Sequence, residues 1–147
     1  MRSALRLSYR YDPSYFNPKL DRDDFGRLFL SVATAQFSGK GGFWVQWQDV
    51  VSFAESLAVY PMPQGTVISM QWGYDMHEGD DLIQKLEISP ADTRGNLKVR
   101  FEIADDNHSE NRVRGTFLTT YPELELFRLG IERVMKSEVE EATLTGE

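Results

Sequence analysis

Both histidines of the chain lie in acidic, turn-forming segments, the places where residue type and spacing come closest to a chemical site. His77 sits in Asp75-Met76-His77-Glu78-Gly79-Asp80-Asp81, and His108 in Asp105-Asp106-Asn107-His108-Ser109-Glu110. Imidazole with carboxylate oxygens is a competent donor set for a divalent metal. The spacing matches no standard metal motif, however, and residues 105–110 lack the ligand ladder and closing glutamate of a calcium loop. Acidic and polar side chains also favour solvated turns with no ligand at all. The stronger functional reading is an acidic docking patch. Asp75, Glu78, Asp80, Asp81, Asp105, Asp106 and Glu110 have no Lys or Arg beside them in either segment. A cationic partner would relieve their mutual repulsion, which favours fast, salt-sensitive association. Trp44, next to Gly41-Gly42 and out of phase with Phe43, is the candidate exposed aromatic anchor. Trp47 and Trp72 share the phase of apolar neighbours and are assigned to the core.

Other chemistry finds little support. Lys85, Lys98, Arg100, Arg112 and Arg114 alternate with Glu87 and Glu102 along successive segments. This reads as a solvated sheet face of mixed sign, with no interleaved aromatic residues to stack nucleic-acid bases. Gly39-Lys40-Gly41-Gly42 lacks the G-x-x-x-x-G-K-[ST] pattern and precedes a strand, so it reads as a hairpin turn and not a phosphate loop. No nucleophile elbow, dinucleotide fingerprint or H-E-x-x-H motif occurs. The expectation is therefore a protein without catalytic residues, metal or cofactor.

The elements that must position the acidic segments follow from hydropathy. The chain of 147 residues is long enough for one domain with a self-supporting core. Its formal net charge of −7 argues against non-specific binding to nucleic acid or to an anionic membrane surface. The absence of cysteine excludes disulfides, thiolate zinc sites and a thiol nucleophile. No apolar run approaches the length that spans a bilayer, and the first residues read as a strand and not a signal peptide. A cytoplasmic location is the expectation.

Period-2 alternation dominates. Leu5, Leu7, Tyr9 and Tyr11 form one apolar face of a first strand. Asp12–Gly26, with two prolines and no period, reads as a long loop packed down by Tyr15, Phe16 and Phe25. Arg27–Phe37 is apolar on both faces, as a strand covered on both sides would be. A turn over 38–42 leads to a partner strand, Phe43–Trp47. Val50, Phe53, Ala54 and Leu57 take helical spacing behind Asp49, a candidate N-cap, and Pro61 and Pro63 stop that helix near Tyr60. Four strands then follow as a meander, marked by Ile68–Tyr74, Leu82–Ile88, Leu97–Ile103 and Val113–Phe117. Thr120-Tyr121-Pro122-Glu123 has capping-box spacing ahead of a last helix with Leu124, Phe127, Ile131 and Val134 on its buried stripe. The sum is a single α+β domain over residues 1–137. It consists of a twisted antiparallel sheet of about seven strands with two packed helices, and residues 138–147 form a disordered acidic tail.

Three stretches resemble the WapI-type immunity proteins of bacterial polymorphic-toxin systems. They are Phe37-Ser38-Gly39 with the aromatic strand and helix behind it, Gly95-Asn96-Leu97-Lys98-Val99, and Asn111-Arg112-Val113 through Phe117 to Thr119-Thr120-Tyr121-Pro122. At the last junction the family usually carries an acidic-Gln-Thr-Tyr-Leu pattern, from which Thr119 and Pro122 depart. The resemblance implies a small cytoplasmic protein that neutralises a toxin domain by protein–protein contact, and it carries over no catalytic residue. Two other readings stay open. One is a small-ligand or metal-binding domain using a pocket under Asp12–Gly26; the other is a structural module that pairs with a second copy of itself.

Overall fold

The alternating segments pair into two four-stranded antiparallel sheets in the computed structural model, which describes residues 2–75 and 80–147. In chain order the elements are β1 (Ser3–Arg10), β2 (Phe25–Ala33), β3 (Ser38–Gln46), α1 (Trp47–Ser56), β4 (Ile68–Gly73), β5 (Leu82–Pro90), β6 (Asn96–Ala104), β7 (Arg112–Thr120), α2 (Tyr121–Met135) and β8 (Ala142–Gly146). The first sheet has the order β3-β2-β1-β8; the second is the expected meander, β4-β5-β6-β7. The α+β class, the antiparallel pairing and the two helices match the sequence reading. The division into two sheets and the eighth strand do not.

One core joins all the layers. Leu5, Leu7, Leu28, Leu30 and Leu144 face inward from the first sheet, and Leu86, Ile88, Val99 and Phe101 from the second. Val50, Phe53 and Ala54 of α1 with Leu57 at its C-cap, and Leu124, Phe127, Ile131 and Val134 of α2, complete it. The helical stripe is the i, i+3, i+4, i+7 set that an amphipathic helix buries. No helix among the described residues is long and apolar enough to cross a membrane.

Strand β3 packs across β5 and β6 of the other sheet. A Cβ at Gly41 would stand 2.3 Å from the Ala104 carbonyl oxygen, and one at Gly39 would stand 2.4 Å from Val113 Cγ1. The glycines of 38–42 thus lie in a strand, not a turn, and they are needed for close approach of the layers. The hairpin itself is at Thr34–Phe37, where the Thr34 N–H donates to the Phe37 carbonyl at 2.8 Å. Gln84, fully buried on β5, adds a polar tie across the layers. Its amide nitrogen donates to the Leu28 and Gly41 carbonyls at 3.2 and 2.9 Å.

Four further expectations are corrected. Strand β2 is covered on one face only: Ala33 is exposed, Phe29 is half-buried, and Phe37 lies in the exposed hairpin. Asp49 does not cap α1; it lies in the first turn, behind Gln46 at the N-cap. Thr120 is the N-cap of α2 but makes no side-chain capping bond. Glu123 is drawn away from the capping box, accepting a hydrogen bond from Thr145 Oγ1 at 2.6 Å and pairing with Arg2 at 3.5 Å. Most consequentially, the terminal segment is not a frayed tail. Strand β8 pairs with β1 from Ser3↔Gly146 to Leu7↔Ala142, burying Ala142 and Leu144.

The 12–24 loop is fastened as the aromatic residues suggested, although Phe25 opens β2 and is exposed. Tyr15 stacks against Tyr11 at 4.2 Å and against Trp47 at 6.1 Å. Trp47 is therefore half-buried in this side cluster and not in the central core. Its indole N–H donates to Asp24 at 3.2 Å.

Two tyrosine hydroxyls are spent on buried backbone carbonyls: Tyr9 on Val45 and Tyr11 on Met135, each at 2.7 Å. Burial, with the neighbouring Tyr15 adding to it, pushes the Tyr11 hydroxyl up to about 12, and burial raises Tyr9 as well. Because the folded state holds these protons more tightly, the unfolded chain ionises first. The stability these groups contribute is complete below the ordinary tyrosine value of 10.0 and is lost as pH rises towards about 12. The denaturant midpoint should accordingly fall more steeply over that window in the native chain than in a Tyr9→Phe/Tyr11→Phe variant. Parallel slopes would remove tyrosine ionisation from the alkaline transition.

Candidate protein-binding face

The antiparallel register of the first sheet sorts its outward side chains into rows. Arg10, Arg27 and Trp44 align across β1, β2 and β3; Ser8, Phe29 and Gly42 form the next row, and Arg6, Ser31 and Lys40 the one after. Trp44 points outward because Val45 takes the inward position beside it, and it is 53% exposed. As expected it is an exposed aromatic residue, though Tyr60, Tyr74 and Phe37 are exposed too.

Arg27 organises this face. Its guanidinium lies 5.1 Å from the centroid of the Trp44 ring and 5.5 Å from that of Phe29, both within cation–π range. The same guanidinium holds Asp106 through Nη1, 3.0 Å from Oδ2. Arg10 also approaches the Phe29 ring, at 5.9 Å. Gly42 leaves space for the ring, since a Cβ there would meet Phe29 Cδ1 at 2.8 Å. Trp44 is thus solvent-facing with a restrained neighbour, an arrangement that reduces the ordering cost of using it as an anchor.

The two acidic turns emerge at the same end of the meander, as a four-stranded up-and-down order requires, and the structure ties their bases together. The Tyr74 hydroxyl donates to the Asp106 carbonyl at 2.7 Å, and its ring meets Phe43 edge-on at 5.5 Å. The Tyr74 N–H donates to the Asp81 carbonyl at 2.9 Å. Within the second turn, Asp105 accepts the Asn107 N–H at 2.8 Å, and Asn111 donates its N–H to the His108 carbonyl at 2.9 Å. Arg112 braces this turn from the meander side, donating from Nε to the Ser109 carbonyl at 3.1 Å and pairing with Glu102.

The predicted residues therefore divide. Trp44, Asp105 and Asp106 are brought to one edge through Arg27; Asp75, Asp80, Asp81 and Glu110 are exposed on the turns themselves. Glu78 and His77 lie outside the described residues. Asp106 has a cationic partner already, which sequence spacing did not anticipate because Arg27 enters from a strand 79 residues away. The available signal was a charged residue on a strand otherwise read as apolar on both faces. Among the described residues no group of three or more His, Cys, Asp or Glu is placed to hold a metal ion. Beneath the 12–24 loop a hollow of about 440 Å³ lies between Tyr11, Tyr15, Trp47 and the end of α2, with Glu55, Glu132 and Lys136 at its margin.

Compared with known proteins, the chain matches no family model, and no curated protein matches it.

Proposed function

We propose that this protein is a non-enzymatic binding protein of the immunity type, which masks a toxin domain by meeting a basic surface with the acidic turns beside Trp44. The observation that carries the reading is a half-exposed tryptophan stacked on the Arg27 guanidinium at the border of an acidic rim. Aromatic side chains on restrained supports are the usual energetic centres of interfaces, with charged residues around them steering the encounter. Asp75, Asp80, Asp81, Asp105 and Glu110 supply that rim, while Asp106 is committed to holding Arg27.

The test is calorimetric titration of the purified protein, at low and high salt, with the C-terminal domain of any large secreted toxin encoded by the preceding open reading frame. Trp44→Ala should weaken binding by about thirtyfold or more, the cost of removing a central aromatic anchor of about 2 kcal/mol or above. Asp105→Lys/Glu110→Lys should slow association and flatten its salt dependence. Binding that ignores both variants would place the interface elsewhere, and no binding at all would end the immunity reading.

A further inference from the structure

The outward face of the meander gathers cations round one hollow. Lys85, Glu102 and Arg114 align across β5, β6 and β7, and Glu87, Arg100 and Thr116 form the next row. Between these rows lies a hollow of about 350 Å³, bordered by Asp80, Lys85, Arg100, Glu102, Arg112 and Arg114. Four cations thus face two carboxylates in a protein whose net charge is −7. Lys98, grouped with them by alternation, stands opposite Ser89 and Leu118 on the same strands and does not border the hollow.

Among the described residues the acids at its border do not neutralise this set, and Asp80 is exposed and paired with none of these cations. Glu102 is committed to Arg112, and Glu87 pairs with Lys85 at 3.1 Å. Arg100 and Arg114 are exposed and have neither ion pair nor hydrogen bond among the described residues. Arg112 uses Nε on the Ser109 carbonyl and Nη1 on Glu102, which leaves Nη2 buried without a partner among the described residues. Holding like charges together, with a buried guanidinium N–H unsatisfied, costs free energy that a bound anion would return.

We propose that this hollow is a binding site for the dianion of a phosphate monoester. Two unpaired guanidinium forks suit the geometry of a phosphoryl group. The hollow opens on the outer surface of a sheet, so the ester substituent has room to project into solvent. A nucleic-acid chain is the poorer ligand, because the one aromatic residue among the described lining, Phe101, is 2% exposed and presents no ring to stack a base. The site is separate from the Trp44 face and does not depend on the toxin-binding reading.

The experiment is a titration of the full-length protein with methyl phosphate at pH 8, where the second phosphate proton (pKa about 6) is off. Sodium chloride of equal ionic strength serves as the control, and the arginine Nε–H resonances are followed by NMR. Saturable shifts of the Arg100 and Arg114 resonances are expected, absent with chloride. Arg100→Gln and Arg114→Gln should each weaken binding about tenfold or more, as loss of a charge-assisted hydrogen bond implies. Both side chains are exposed, so the thermal midpoint should not move. Shifts equal to those caused by chloride, or undiminished affinity in both variants, would overturn the site. Saturation by inorganic phosphate with none by methyl phosphate would overturn its assignment to a monoester.

Discussion

Removal of residues 142–147 is expected to abolish cooperative folding at physiological temperature. The segment looks expendable by composition, being short, acidic around its start and without helical period. In the fold it is an edge strand with two attachments. Along one side it pairs with β1 over five residue positions, Ser3↔Gly146 through Leu7↔Ala142. On the other, the Glu147 N–H donates to the Leu118 carbonyl at 2.8 Å and the Leu118 N–H to the Glu147 carbonyl at 3.0 Å. Strand β8 therefore closes the first sheet onto the second. The Thr119 hydroxyl reinforces this junction by donating to the Thr145 carbonyl at 2.8 Å. Loss of the fully buried Leu144 side chain alone costs about 2–5 kcal/mol. Truncation also uncovers Leu5, Leu7 and the stripe of α2 that packs on β8. Against a typical total of about 5–15 kcal/mol, that is most of the reserve. Urea unfolding followed by circular dichroism should show a shallow transition or none for the truncated chain. Leu144→Ala, which retains the backbone pairing, should remain cooperative with a lower midpoint. A truncated chain with native midpoint and slope would show that the terminal strand is dispensable.

This strand also marks where sequence legibility ended. The meander and α2 were readable because one face of each meets the core and the other meets water, so hydropathy repeats with the period of the element. Asn96-Leu97-Lys98-Val99-Arg100-Phe101-Glu102-Ile103 is the plainest case, and its inward residues are all buried. In β8 the buried positions are Ala142, Leu144 and Gly146. Only one of these is a large apolar residue, so five residues carry almost no alternation signal. The pairing that orders them is with a strand about 140 residues earlier, and no local pattern reports on it.

The candidate face shows the same boundary between local and distant information. Clustering of the acidic turns at one end followed from meander topology, and exposure of Trp44 followed from its being out of phase with Phe43 beside Gly41-Gly42. What could not be read was their connection. Arg27, Asp106 and Tyr74 belong to three segments whose adjacency is set by how the two sheets cross. The same crossing turns Ser38–Gly42 from a turn into a strand, because glycine serves close approach of layers as readily as it serves a turn.

A single methyl group at Gly41 tests that crossing directly. Gly41→Ala should destabilise the protein by roughly 3 kcal/mol, the upper end of what overpacking a core costs. The added Cβ would lie 2.3 Å from the Ala104 carbonyl oxygen and 3.2 Å from its carbon. Those atoms belong to the backbone of β6, which is paired to β5 and β7 on its two sides and cannot withdraw without breaking register. Ile103 closes the remaining direction at 3.1 Å, and Gln84 holds the Gly41 carbonyl from across the layers at 2.9 Å. Gly42→Ala is the matched comparison. There the nearest atoms are side-chain ones, Phe29 Cδ1 at 2.8 Å and Arg27 Nη2 at 3.2 Å, which can shift at the cost of their mutual contact without disturbing a backbone pairing. The prediction is therefore an ordering: Gly41→Ala well below Gly42→Ala in urea midpoint, with Gly42→Ala between it and the native protein. If the two variants unfold together, β3 does not press on β6 as described, and close packing of the sheets is not why this strand carries three glycines in four positions.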